Sequence, residues 1–187
     1  MRVLISPVGT RGDVQPVVAL ALEVRQLGHS VRRCVPPNFV DWVVGLGFEA
    51  TPIGVEMRAP RAGAAPAVPS PLPDLIADQF EVVGSAAEGC QLIIGGGAHQ
   101  YAARSIAELR GADYPTAVYA PVSIPSPTRA PPGKAEETPD PAENLQLWSE
   151  NKRAWNARAL ERVNANRTRR GLSPIDDVLG HILTDHP

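Results

Sequence analysis

Long apolar runs are missing from this chain of 187 residues. The longest nearly apolar stretch, Val14 to Leu22, is interrupted by Gln15 and Pro16 and falls well short of the ~20 residues that span a bilayer. No transmembrane segment is therefore expected. The amino terminus, MRVLISPVGT, has too short an apolar part for a secretory signal and runs straight into the charged turn Arg11-Gly12-Asp13. A cytoplasmic location is the expectation. Cysteine is scarce: Cys34 and Cys90 stand alone, outside any CxxC pair. That argues against a zinc knuckle or a disulfide scaffold, and no metal is expected. Both thiols are expected to be small buried apolar groups. A basic excess is missing too. Eighteen Lys and Arg face twenty Asp and Glu, for a net charge of −2, which speaks against a dedicated nucleic-acid binder.

What is present is enough for one packed domain over residues 1–187. Hydrophobic residues make up 43%. Proline is the surplus, at 20 residues, about twice the ordinary share. The first hundred and twenty residues alternate in type. Val3 to Val8 reads as a buried parallel strand. Asp13 reads as an N-cap for a helix over Val14 to Leu27, with Pro16 in its first turn and Gly28 behind it. Val31 to Val35 is a second strand, Asn38 to Leu46 a helix, and Phe48 to Ile53 a third strand. Leu75 to Ala87 is a helix capped by Asp74. Leu92 to Ile94 is a fourth strand, stopped by Gly95-Gly96-Gly97. Ala98 to Arg110 is a helix and Thr116 to Ala120 a fifth strand. The pattern predicts an α/β fold with a Rossmann-like, doubly wound parallel sheet.

Ligands of such sheets sit at the carboxyl ends of the strands. Three segments fall there: Gly9 to Asp13, Gly95 to Gln100 and Pro121 to Ser126. The candidate binding residues are Thr10, Arg11 and Gly12 in the first, Gly96, Gly97 and His99 in the second, and Pro121 and Ser123 in the third. The first segment places glycines, a hydroxyl and a carboxylate at a helix N-terminus, where anions are favoured. It lacks the Gly-Lys-Ser/Thr of a P-loop and the G-x-G-x-x-G of a dinucleotide fold. On spacing alone Asp13 is an N-cap. His99, at the same edge of the sheet, lines a pocket or starts a helix, or is a competing base, since an imidazole titrates nearer neutrality than a carboxylate. The proline-rich stretches 54–73 and 121–142 leave the same side and read as long loops, either surface excursions or walls of a cleft.

The last long stretch, Ala142 to Arg170, is helical. Leu145, Trp148, Trp155, Ala159 and Val163 make an apolar stripe that reads as core. Lys152, Arg153, Arg158, Arg162, Arg167, Arg169 and Arg170 form the opposite face and read as solvated, the alternative being contact with phosphate or a membrane. Ser173 to Asp177 opens a short helix, and His181 and His186 fall in the terminal tail.

The stretch Gly9-Thr10-Arg11-Gly12-Asp13-Val14-Gln15-Pro16 resembles the first loop of a GT-B fold glycosyltransferase. The likeness extends through Leu27-Gly28-His29, Cys34-Val35-Pro36-Pro37, Ala86 to Cys90, Arg104 to Leu109, Gly171 to Val178 and Asp185-His186-Pro187. It covers nearly the whole chain. The sequence is similar to the N-terminal, acceptor-binding domain of the antibiotic-tailoring enzymes and the sterol glucosyltransferases, of the family 28 N-terminal type. The resemblance implies an inverting transfer of a sugar from a nucleotide sugar to a hydroxyl of a small-molecule aglycone, without a metal or other cofactor. It implies Asp13 as the general base, Thr10 near the donor sugar or phosphate, and loops 54–80 and 121–142 shaping the acceptor site.

The donor motif of the second GT-B domain is not found in these residues. The expectation is an acceptor half, inactive without a donor domain that would present the nucleotide sugar. The alternatives are a non-catalytic Rossmann-like binding module or partner subunit, and the N-domain of a sterol or lipid glucosyltransferase.

Overall fold

A computed structural model describes residues 1–58, 74–97, 99–120, 124–132 and 140–183. Five strands form one sheet: β1 (Arg2–Pro7), β2 (Ser30–Val35), β3 (Glu49–Pro52), β4 (Leu92–Gly96) and β5 (Thr116–Ala117). Their order is β3-β2-β1-β4-β5 and every pairing is parallel. The reversal of winding lies between β1 and β4, where a doubly wound sheet opens a crevice. Around the sheet run α1 (Arg11–Gln26), α2 (Val40–Gly45), α3 (Leu75–Ala86), α4 (Ala103–Arg110), α5 (Pro141–Arg169) and α6 (Val178–Leu183).

Alternation along the strands divides the core. Val3, Ile5 and Val35 pack with Val14, Val18 and Phe39 on one face. Leu4, Cys34 and Ile93 pack with Phe80, Ile106, Val163 and Ile182 on the other. Successive side chains of a strand point to opposite faces, and both faces here are covered, so the strands read as continuous apolar runs. Cys34 and Cys90 are buried and unpaired. Burial pushes the Cys34 thiol up to about 12.

Several boundaries move from their sequence-based positions. Thr10, in extended conformation, is the N-cap of α1, and Asp13 is its third helical residue. β4 continues through Gly95 and Gly96, because the ladder with Thr116 and Ala117 satisfies their backbone. The helix expected from Ala98 starts at Ala103. The Gln100 side chain accepts the N–H groups of Ala102 (3.1 Å) and Ala103 (3.2 Å) and so caps it from outside. Strand β5 is two residues long.

The basic face of α5 is not wholly solvated. Arg167 is 4% exposed, and Arg170 pairs with Glu81. Its apolar stripe begins at Trp148, since Leu145 is 50% exposed. His181 belongs to α6 and not to a loose tail, and His186 lies outside the described residues.

Arg33 is a buried cation, 1% exposed, stacked over the Phe48 ring at 3.3 Å from its centroid. Among the described residues none of its three guanidinium nitrogens has a hydrogen-bond partner. Burial and the neighbouring Arg25 charge pull it down to about 10. A desolvated charge without a counter-ion costs more than ring stacking returns. Arg33→Met should therefore raise unfolding stability, by about 1–3 kcal/mol. Denaturant melts of both proteins test this, and a less stable variant would contradict it.

Candidate functional site

The site forms where β1 hands over to α1. Val8 donates its N–H to the Gly96 carbonyl at 2.9 Å, so the chain leaves the sheet beside the end of β4. Asp13 reaches back over that turn. Its Oδ2 accepts the Thr10 backbone N–H at 2.7 Å and the Thr10 hydroxyl at 3.2 Å. This is the acidic arm of a capping box, and it holds the carboxylate at a helix N-terminus.

Two glycines make room for it. A Cβ on Gly9 would overlap the Asp13 carboxylate. Gly97 has φ +79, and a Cβ there would overlap the Val8 carbonyl and stand 3.6 Å from Asp13 Oδ1. The second carboxylate oxygen faces Tyr119. That phenol donates to the Asp13 carbonyl at 2.9 Å and lies 3.3 Å from Oδ1. Burial, the Asp13 charge and this hydrogen bond all push the Tyr119 phenol up, so it remains a donor.

Gly9, Thr10, Asp13, Gly97 and His99 line a cleft of about 560 Å³ at the carboxyl edge of the sheet. Thr116 to Ala120 continue one wall; Trp148, Asn151, Trp155 and Arg158 of α5 and Leu179 and Leu183 of α6 supply the opposite one. A second cavity of about 700 Å³ adjoins it, sharing Val118, Trp148, Leu179 and Leu183.

His99 is held by two buried glutamines. Gln79 donates to the His99 carbonyl at 2.9 Å and accepts the Tyr101 N–H at 2.8 Å. Gln100 donates to the Ser6 carbonyl and hydroxyl of β1 at 3.1 and 2.6 Å. The imidazole sits among aromatic rings, 5.3 Å from Trp155 and 6.3 Å from Tyr101 between centroids. Desolvation lowers its pKa, Asp13 opposes that shift, and Arg158 adds to it. The ring is thus neutral at pH 7 and open to the cleft, able to accept a proton.

Of the residues expected from sequence, the structure brings Thr10, Asp13, Gly97 and His99 together. Arg11 turns outward, bonding Gln15 at 3.0 Å and covering the Trp42 ring at 5.3 Å. Gly12 is exposed and does not line the cleft. Gly96 stays inside the sheet, packed on Pro7 and Val17. Pro121 and Ser123 lie outside the described residues.

Tyr119, Trp155, Arg158 and Gln79 stand outside the segments expected here, whereas Gln100 closes the expected segment Gly95 to Gln100. Trp155 carried a signal in its apolar stripe, which was read as core; Trp148 is indeed buried and donates its indole N–H to the Arg129 carbonyl at 2.7 Å. Gln79 carried none, since a glutamine in a helical pattern reads as solvent-facing. Among the described residues no cluster of His, Cys, Asp or Glu could hold a metal ion, and no helix is long and apolar enough to cross a membrane.

Comparison with known proteins agrees with the fold. Residues 3–107 match the model of the glycosyltransferase family 28 N-terminal domain. Over its full length the chain is 35% identical to glycosyltransferase GtfC of Amycolatopsis orientalis, covering 48% of that protein. It is 36% identical, also over its full length, to the vancomycin aglycone glucosyltransferase of the same organism, again covering 48%. The chain thus spans about half the length of the curated relatives it matches. The solved structure of the spinosyn forosaminyltransferase SpnP superposes with a TM-score of 0.58 over 98% of this chain and 44% of that one, at 20% identity. The chain is a glycosyltransferase N-terminal domain similar to antibiotic-tailoring glycosyltransferases, and it belongs to the glycosyltransferase family 28 N-terminal domain family.

Proposed function

We propose that this chain is the acceptor-binding half of an inverting glycosyltransferase that moves a sugar from a nucleotide sugar to a hydroxyl of a natural-product aglycone. The observation that carries this reading is the placement of Asp13: a carboxylate fixed by Thr10 through one oxygen, its other oxygen facing Tyr119, at the lining of a cleft of about 560 Å³. Inversion needs a single displacement at the anomeric carbon. The acceptor oxygen forms the new bond, the bond to the nucleoside diphosphate breaks with its electron pair, and the acceptor proton passes to a base on the side away from the leaving group. Asp13 is that base. Thr10 keeps the carboxylate oriented and stands nearest the position a donor phosphate would take at the helix N-terminus. Pro121 and Ser123 belong to the acceptor-shaping loop on this reading. The nucleotide sugar is presented by a second domain, and no metal is required.

His99 is the second reading of the base. It lines the same cleft and its imidazole is neutral at pH 7. Proton transfer then goes to a nitrogen and not to a carboxylate oxygen.

The test is transfer by the enzyme carrying its donor domain, or by this chain supplied with a relative's donor domain, from an α-linked nucleotide sugar to a glycopeptide-type aglycone. The expected product has the β configuration at the new bond, read from its anomeric NMR coupling. An α product would end the inverting reading. Loss of activity in His99→Gln with Asp13→Asn still active would move the base to His99.

A further inference from the structure

The α5 wall of the cleft contains an unpaired cation. Asn151, Trp155 and Arg158 follow each other at intervals of four and three, so they stand on one face of the helix, and all three line the cleft. Three other cations of α5 are ion-paired: Lys152 with Asp177 at 2.9 Å, Arg167 with Glu108 at 2.9 Å, and Arg170 with Glu81. Arg158 is exposed. Among the described residues its guanidinium has no hydrogen-bond or ion-pair partner, while its carbonyl accepts from the Arg162 side chain. Its charge nevertheless reaches inward: burial raises the Tyr101 phenol and lowers the His99 imidazole, and Arg158 opposes the first shift and adds to the second, while Asp13 acts on His99 with the opposite sign. The cleft is therefore polarised. A carboxylate stands at the sheet end and a guanidinium on α5, and the His99 and Trp155 rings, 5.3 Å apart, line the same cleft.

We propose that Arg158 is an anion-recognition residue that selects hydroxylated acceptors carrying a carboxylate. The acceptor hydroxyl lies at Asp13, its planar body lies against Trp155, and its carboxylate meets the Arg158 fork. This rests on the reading of the cleft as an acceptor site. A guanidinium presents paired donors matched to a carboxylate. The apolar wall beside it removes part of the competing water, so the contact discriminates more than a fully solvated ion pair would. The repulsive half of the selection comes from Asp13, which disfavours the reversed pose with the acid at the sheet end. The diphosphate of a donor offers the same anionic chemistry, and the experiment separates the two.

The chain is titrated by NMR with 4-hydroxyphenylacetate and, separately, with the corresponding primary amide, reading the His99 ring and the Trp155 indole resonances. The acid is expected to bind about 5- to 20-fold more tightly than the amide at low salt. The advantage shrinks at high ionic strength, disappears in Arg158→Gln, and is partly kept in Arg158→Lys. Pyrophosphate is expected not to displace the acid. Equal binding of acid and amide, or a preference that survives Arg158→Gln, overturns the proposal while leaving the acceptor cleft intact. Displacement by pyrophosphate also overturns it and assigns Arg158 to the donor. If neither organic probe shifts Trp155 or His99, the acceptor-cleft reading falls and takes this inference with it. Because Arg158 is exposed on a helix, the Gln variant should fold, and an unchanged circular dichroism spectrum verifies that.

Discussion

Asp13→Asn, made in the enzyme carrying its donor domain, should lower turnover by about 10²–10⁴-fold, the range typical of a lost general base. The substitution is informative because it changes little else. An amide oxygen can still accept the Thr10 N–H, which the carboxylate accepts at 2.7 Å. Tyr119 keeps its bond to the residue 13 carbonyl at 2.9 Å. The space opened by Gly9 and Gly97 is filled by a group of the same size. What disappears is the negative charge and the capacity to take a proton. Removing a charge from the helix N-terminus costs about 0.3–1 kcal/mol, so the melting temperature should move by only a few degrees. A variant that stays folded and turns over at a near-normal rate would remove Asp13 from the chemistry.

The second large effect is expected far from that carboxylate. Arg167, 4% exposed, ties three elements together. Its guanidinium donates to the Ser105 hydroxyl of α4 at 2.8 Å and to the Ser173 carbonyl at 2.9 Å, and pairs with Glu108 at 2.9 Å. His181 of α6 completes the cluster, its Nε2 lying 3.2 Å from both Ser105 Oγ and Arg167 Nη1. Arg167→Met removes all of these donors at once. The Glu108 side chain is 34% exposed and can return to water. The cost is therefore set below that of a wholly buried pair, at about 2–3 kcal/mol, read from denaturant melts. The consequence for the cleft follows, since α6 supplies Leu179 and Leu183 to its wall.

The same cluster makes stability depend on pH. Burial pulls the His181 pKa to about 4, with Arg167 and Arg104 acting in the same direction and Glu108 and Asp177 against it. In the unfolded chain an imidazole titrates near ~6.5. Between those values the unfolded state binds the extra proton, so stability is full above pH ~6.5 and falls as the pH drops towards 4. His181→Gln should flatten that slope, and an unaltered slope would place its origin elsewhere.

The sheet was legible in the sequence because both of its faces are buried. Val3-Leu4-Ile5 and Leu92-Ile93-Ile94 leave little choice but parallel strands covered by helices. The displaced boundaries share one cause: side chains acting across the fold. Gln100, inside the helix expected from Ala98, instead caps α4 from before its start, and Thr10 takes the N-cap position that local spacing gave to Asp13. The carboxylate itself was legible because its turn is continuous in the chain. Its surroundings were not. Tyr119 reaches it across 106 positions, and Gln100 reaches Ser6 across 94.

By itself, then, the amino-acid order determined an α/β sheet of parallel strands, a carboxylate at the first strand-to-helix turn, and the family whose turn it resembles. These follow from periodicity, glycine placement and contiguous motif, which are properties of neighbouring residues. Only the tertiary structure decided that Arg11, Gly12 and Gly96 do not line the cleft, that Trp155 and Arg158 wall it, and that Arg167 is a buried tie and not a solvated charge. A helix face is a local property, but what the face meets is set by how α5 and α6 pack over the sheet. No spacing along the chain encodes that contact.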